Sequence, residues 1–145
     1  MNIKFQTKVK GNYKEVMERF DLDLFEALKP KVGKMEVKEF TGSKKGDRVR
    51  MQFISPIRTE WISHITEDGI NEKEAYFIDE GHKLPWPLSF WKHKHIVRKI
   101  DEEHSLIVDD INYEAGNALF SLLLYPAMWL GFAPRAAIYK KYFGA

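Results

Sequence analysis

Polar and apolar residues alternate over the first ten positions: Ile3, Phe5, Thr7 and Val9 fall on one face of an extended chain, and Asn2, Lys4, Gln6 and Lys8 on the other. That period predicts a half-buried first strand, ended by Gly11. The spacing then becomes helical. Asn12 is placed to cap a helix through Tyr13, Val16, Met17 and Phe20, and a second short helix, Leu22 to Leu28, stops before Pro30. From Lys34 to Tyr113 the period of two returns in short runs rich in Val, Ile, Phe, Trp and Tyr. These runs predict strands at Met35–Phe40, Asp47–Ile54, Ile57–Thr66, Glu72–Asp79, Phe90–Ile100 and Ser105–Tyr113. Turn chemistry separates them at Gly42–Gly46, Ser55-Pro56, Asp68-Gly69, Gly81–Pro87 and Asp101–His104, leaving connections short enough for antiparallel neighbours.

After Gly116 the alternation is lost, and Ala118 to Phe143 is almost continuously apolar until its late basic residues. Pro126 and Pro134 each remove a backbone donor, so the pattern predicts a short helix ahead of Pro126 and a main helix beyond it, kinked at Pro134. A helix apolar nearly all round is expected to be buried, as it would be with a sheet wrapped around it. The uncharged stretch Asn117–Pro134 falls short of the roughly 20 residues that span a bilayer and contains Pro126 and Gly131, so no transmembrane segment is expected. Peripheral membrane contact through the amphipathic, basic end at Tyr139, Lys140, Lys141 and Tyr142 stays open.

Composition narrows the function. With 145 residues, 44% hydrophobic and 14% aromatic, the chain is long and apolar enough to build one α+β domain over 1–145 around a single core. Lysine and arginine number 23 against 21 acidic residues, so no net field draws it to nucleic acid. There is no cysteine, which removes disulfides, thiolate metal sites and cysteine nucleophiles. The N-terminus lacks the unbroken apolar run of a signal peptide, and a cytoplasmic protein is expected. Phosphate-cradling glycine loops and the GxSxG elbow are missing, so nucleotide and serine-hydrolase chemistry have no support.

Candidate chemistry lies on two adjacent strands. Trp91, His93, His95 and Val97 share one face, and Lys92, Lys94, Ile96 and Arg98 the other; the lysines mark the second face as wet, so the histidines are expected inside. Ile107, Asp109, Ile111 and Tyr113 share a face as well, which turns Asp109 inward with its apolar neighbours. A buried carboxylate needs a partner, and His93 and His95 are placed to supply one. Three meanings stay open for His93, His95 and Asp109. They are the ingredients of a metal triad, although His-x-His is a weak signal and neither a metal nor another cofactor is expected. A His-Asp pair can act as general base. The default is a satisfied internal network that holds strand register or orients a ligand's polar group.

Phe53, Trp61, Phe77 and Trp91 are the aromatics expected to touch a ligand, with ordinary core packing as the competing account. Val49, Met51 and Phe53, with Ile57, Thr59, Trp61 and Ile65 on the next strand, read as the floor of the sheet. His64 is expected in solvent, His82 and His104 in loops, and Trp86, held between Pro85 and Pro87, at a stiff loop tip. Tyr113, Trp129 and Arg135 complete the candidate binding set, Arg135 with a structural pairing to an acid on the sheet as its favoured role.

The order strand, two short helices, six antiparallel strands and a terminal helix, with Phe90-Trp91-Lys92-His93-Lys94-His95, Asp109-Asp110-Ile111-Asn112-Tyr113, Gly116 and a helical Arg135, resembles the START/Bet v 1-like superfamily. Within it the chain is similar to small bacterial SRPBCC proteins related to polyketide cyclases and dehydrases. The resemblance implies a helix-grip fold: a curved antiparallel sheet of about seven strands around a long C-terminal helix, with a cavity between them for lipids, polyketides or similar apolar molecules. It implies no particular reaction, because carriers, sensors and enzymes share the fold. A small apolar partner is therefore expected, with a cyclase or dehydratase as the alternative; the ligand's identity and the oligomeric state stay open.

Overall fold

The computed structural model describes residues 1–30 and 33–145. Its strands are β1 (Asn2–Lys10), β2 (Lys34–Phe40), β3 (Arg48–Ser55), β4 (Thr59–Ile70), β5 (Glu74–Lys83), β6 (Phe90–Lys99) and β7 (His104–Glu114). They form one antiparallel sheet in the order β1-β7-β6-β5-β4-β3-β2. Each strand from β2 to β7 pairs with its sequence neighbour, whereas β1 crosses to the far edge and pairs with β7, setting Ile3 opposite Ile111 and Phe5 opposite Asp109. The link between those two edges carries α1 (Tyr13–Glu18) and α2 (Leu22–Ala27). Gly11 makes the turn out of β1 at φ 121°, and the Asn12 side chain accepts from the Lys14 amide to start α1. This is the expected helix-grip arrangement.

Four boundaries depart from expectation. Asp68-Gly69 is not a turn: both residues lie within β4, opposite Phe77 and Tyr76. The turn follows at Asn71, whose side chain accepts from the amides of Lys73 and Glu74. Glycine is needed at 69 for space rather than for a bend, since a Cβ there would sit 2.7 Å from the Tyr76 ring. At the other end β5 runs on to Lys83, so His82 stands in a strand and stacks on His64 with ring centroids 4.4 Å apart. His104 likewise begins β7 instead of lying in the preceding loop. Ile57 precedes β4 and is 73% exposed, so it forms no part of the sheet floor.

The terminal segment folds as α3 (Ala118–Phe132) and α4 (Arg135–Phe143), broken at Pro134. Pro126 does not divide it; the proline sits inside α3 on the exposed side, where the carbonyl it leaves without a donor is open to water. Burial of this segment was expected and holds on the inner side of each helix only. Tyr139 of α4 is buried completely among Val16, Phe20, Val97 and Ile107, beneath α1. In α3, Leu124, Tyr125, Met128 and Phe132 pack on Ile3, Trp91 and Tyr113, while Leu119, Leu122, Leu123 and Leu130 stand 59–67% exposed. A concave sheet covers one side of a helix, and α1 and α2 pack against the α4 cluster, so the outer side of α3 receives no cover. Among the described residues no helix is long and apolar enough to cross a membrane.

Candidate functional site

Between the curved sheet, α2 and the inner side of α3 lies a cavity of about 330 Å³. Its walls are apolar: Leu24 and Phe25 from α2, Met51 and Phe53 from β3, and Met128 and Phe132 from α3. Asp79, His93, His95 and Arg135 stand together on that wall and give it polar chemistry. Their convergence follows from strand period and register. His93 and His95 alternate inward with Trp91 and Val97 on β6; β5 sets Asp79 opposite His93, and β7 sets Asp109 opposite His95.

The hydrogen bonds run diagonally across those registers. His93 Nε2 donates to Asp109 Oδ1 at 2.8 Å, because a carboxylate has only lone pairs to offer. His95 Nε2 donates to Asp79 Oδ2 at 2.5 Å, and the Trp91 indole donates to Asp79 Oδ1 at 2.9 Å. From α4, Arg135 reaches Asp109 Oδ1 at 3.2 Å and the Tyr139 hydroxyl reaches Asp109 Oδ2 at 3.1 Å. The two imidazoles stack with centroids 3.6 Å apart, and Phe77 stacks on the outer side of His95 at 4.2 Å. His95 Nδ1 is the one buried side-chain polar atom without a hydrogen-bond partner among the described residues.

Charge follows from these contacts. Burial opposes ionisation of Asp109, but the hydrogen bond from His93 and the Arg135 guanidinium outweigh it and hold the carboxyl well below its ordinary range. Asp79 is also lowered: burial acts against it, and the donated bond from His95 prevails. Burial, then the neighbouring His93, pull His95 down to about 4, so near neutral pH it is an uncharged imidazole. Burial raises the Tyr139 phenol, and the Asp109 charge raises it further, so this hydroxyl is a donor and never a phenolate.

Of the residues picked from sequence, His93, His95, Asp109 and Arg135 come together in this cluster, and Phe53, Trp61, Phe77 and Trp91 line the cavity beside it. Arg135 makes the acid pairing and also faces the cavity. Two candidates fall outside. Tyr113 is fully buried behind the wall, its hydroxyl donating to the Ser121 carbonyl. Trp129 turns away from the cavity onto Phe5 and is 46% exposed. One member was missed: Asp79. Its signal was its place two residues after Phe77, on the same strand face already read as inward. With His93 and His95 it forms a group whose ligand atoms lie within 4.8 Å of one another and can hold a metal ion.

No family model matches the chain, and no curated protein matches it in sequence. Solved structures do match in fold. Norcoclaurine synthase from Thalictrum flavum, in complex with dopamine and hydroxybenzaldehyde, aligns over 97% of this chain and 84% of its own with a TM-score of 0.67 at 16% identity. The Zhui aromatase/cyclase from Streptomyces sp. R1128 aligns over 95% and 90% with a TM-score of 0.63 at 12% identity. A Thermobifida fusca protein aligns over 97% and 92% with a TM-score of 0.66 at 14% identity. At these identities the likeness establishes the helix-grip fold alone and leaves chemistry to the site.

Proposed function

We propose that the protein binds a small apolar or amphipathic molecule in the cavity between sheet and terminal helices, with the His93, His95, Asp79 and Arg135 cluster orienting a polar group on it. The carrying observation is the cavity itself: about 330 Å³ of apolar-walled space with a hydrogen-bonded polar cluster on one side. That size suits a ligand of one or two rings or a short chain, and one fold neighbour is in complex with two molecules of this character, dopamine and hydroxybenzaldehyde. Native mass spectrometry of freshly purified protein, against its denatured mass, tests the reading. An added organic mass that disappears on denaturation supports it. A bare mass, together with no binding of any apolar dye, overturns it.

A second reading, a cyclase or dehydratase, is favoured by the His93–Asp109 contact of 2.8 Å, in which the carboxylate fixes the imidazole tautomer. Replacing His93 and His95 by Gln in turn separates the two. A binding protein loses affinity modestly, whereas an enzyme loses turnover while still binding.

The exposed apolar side of α3 supports peripheral contact with a lipid surface as the ligand's route of entry, since the opposite side of the same helix forms the cavity wall. Co-sedimentation with lipid vesicles tests this; protein left wholly in the supernatant removes it. We place the chain in the cytoplasm, where a cysteine-free sequence forgoes nothing, and a tagged copy found outside the cell would contradict that placement.

A further inference from the structure

We propose that Asp79, His93 and His95 form a binding site for one divalent first-row transition ion, of the Zn²⁺, Co²⁺ and Fe²⁺ class, opening on the cavity. The site stands on the cluster's own geometry. What it presents to a cavity ligand rests on the binding function proposed above.

The first ground is convergence. His93 turns Nε2 to Asp109 Oδ1 at 2.8 Å and its other ring nitrogen, Nδ1, to Asp79 Oδ2 at 3.7 Å. His95 Nε2 approaches the same carboxylate oxygen at 2.5 Å. Two imidazole nitrogens thus converge on one carboxylate oxygen.

Spacing is the second ground. An ion with bonds of about 2.0–2.2 Å to nitrogen and oxygen holds its ligand atoms roughly 3 to 3.5 Å apart. The His93 and His95 nitrogens lie 3.7 and 2.5 Å from Asp79 Oδ2 and all three atoms lie within 4.8 Å of one another, so the spacing an ion imposes falls inside the range this cluster spans.

The surroundings are the third. Metal-bound histidines characteristically give their other N–H to a carboxylate, and bound carboxylates are themselves hydrogen-bonded. Asp109 already takes the His93 hydrogen, and the Trp91 indole already donates to the far oxygen of Asp79. For His95, binding through Nε2 moves its hydrogen to Nδ1, the atom that otherwise has no partner, with Asp109 Oδ1 3.9 Å away, beyond direct hydrogen-bond distance. Charge agrees as well. Arg135 neutralises Asp109, whereas no described lysine or arginine nitrogen lies within 4.0 Å of Asp79. Three protein ligands leave coordination positions open, and all three residues line the cavity, so a ligand's oxygen or nitrogen can complete the shell.

The test uses full-length, chelator-treated protein titrated with Co²⁺ alone. The expected result is visible absorption of a low-symmetry site, saturating at about one ion per chain. Asp79→Asn and His95→Gln abolish the bands, while His82→Gln, which breaks the exposed His64–His82 pair, leaves them intact. Because cluster variants can fail to fold, paramagnetic broadening of histidine resonances in the unaltered protein gives the same information: His93 and His95 broaden first. No saturable band at millimolar Co²⁺, or bands lost only with His82, overturns the proposal. Binding of an apolar dye, measured in parallel, separates the two claims: dye without metal defeats this inference alone, and metal without dye defeats the proposed function alone.

Discussion

The two terminal helices follow one another without a polar linker, yet they are held differently. α4 docks through specific polar chemistry: Arg135 and Tyr139 both reach Asp109 on β7, and Tyr139 is buried completely. α3 docks mainly through apolar contact on one side, anchored at its start by the Tyr113 hydroxyl on the Ser121 carbonyl, and leaves Leu119, Leu122, Leu123 and Leu130 in solvent on the other. The more apolar helix is the less buried one. Hydrophobicity of a segment states what burial would be worth, while the reach of the sheet decides whether burial happens.

Breaking the α4 side should cost most. Arg135→Met leaves the Asp109 charge buried without its cation, and urea unfolding should report a loss of about 3–5 kcal/mol. Next comes pH. His95 faces Asp79 from β5, His93 on its own strand, Asp109 from β7 and Arg135 from α4. In the folded protein it takes a proton only near pH 4, against about 6.5 in the unfolded chain, so the unfolded state binds more protons in between. Stability of the chelator-treated protein is therefore full above pH 6.5 and falls as the pH drops through 4, by roughly 3 kcal/mol from this group. The lowered Asp79 and Asp109 add further loss at still lower pH. His95→Gln should flatten the stretch between pH 6.5 and 4 in a pH series of urea melts. Tyr139→Phe removes one hydroxyl donor to Asp109 and keeps the ring, so the same melts should show about 1–3 kcal/mol. On α3 the contrast sharpens. Leu122→Gln and Leu130→Gln should each stay within about 0.5 kcal/mol of the parent, and a larger loss would mean that this side is covered in solution by another molecule.

Much of the fold was legible. Period two in β1, β6 and β7 assigned the inward faces, including those of His93, His95 and Asp109, because one strand face had to be wet and the lysines marked it. Local chemistry misled where two signals competed. Asp68-Gly69 carries a turn signature, yet Gly69 serves the neighbouring Tyr76 ring across the strands, and the turn belongs to Asn71. Asp79 escaped notice because a lone acid near a predicted strand end reads as solvent-facing, and only its pairing opposite His93 brings it into the cluster.

By itself, then, the sequence determined how many strands there are and in what order, which way the faces of β1, β6 and β7 turn, and that two histidines and an aspartate share the interior, because side-chain period is a local property of the backbone. Tertiary structure alone decided that Asp79 joins them, that Tyr113 and Trp129 stand outside the cavity, and that Tyr139 of α4 is enclosed while the outer side of α3 is bare. Those outcomes depend on strand register and on how far one curved sheet extends, and neither is written in the spacing of any single segment.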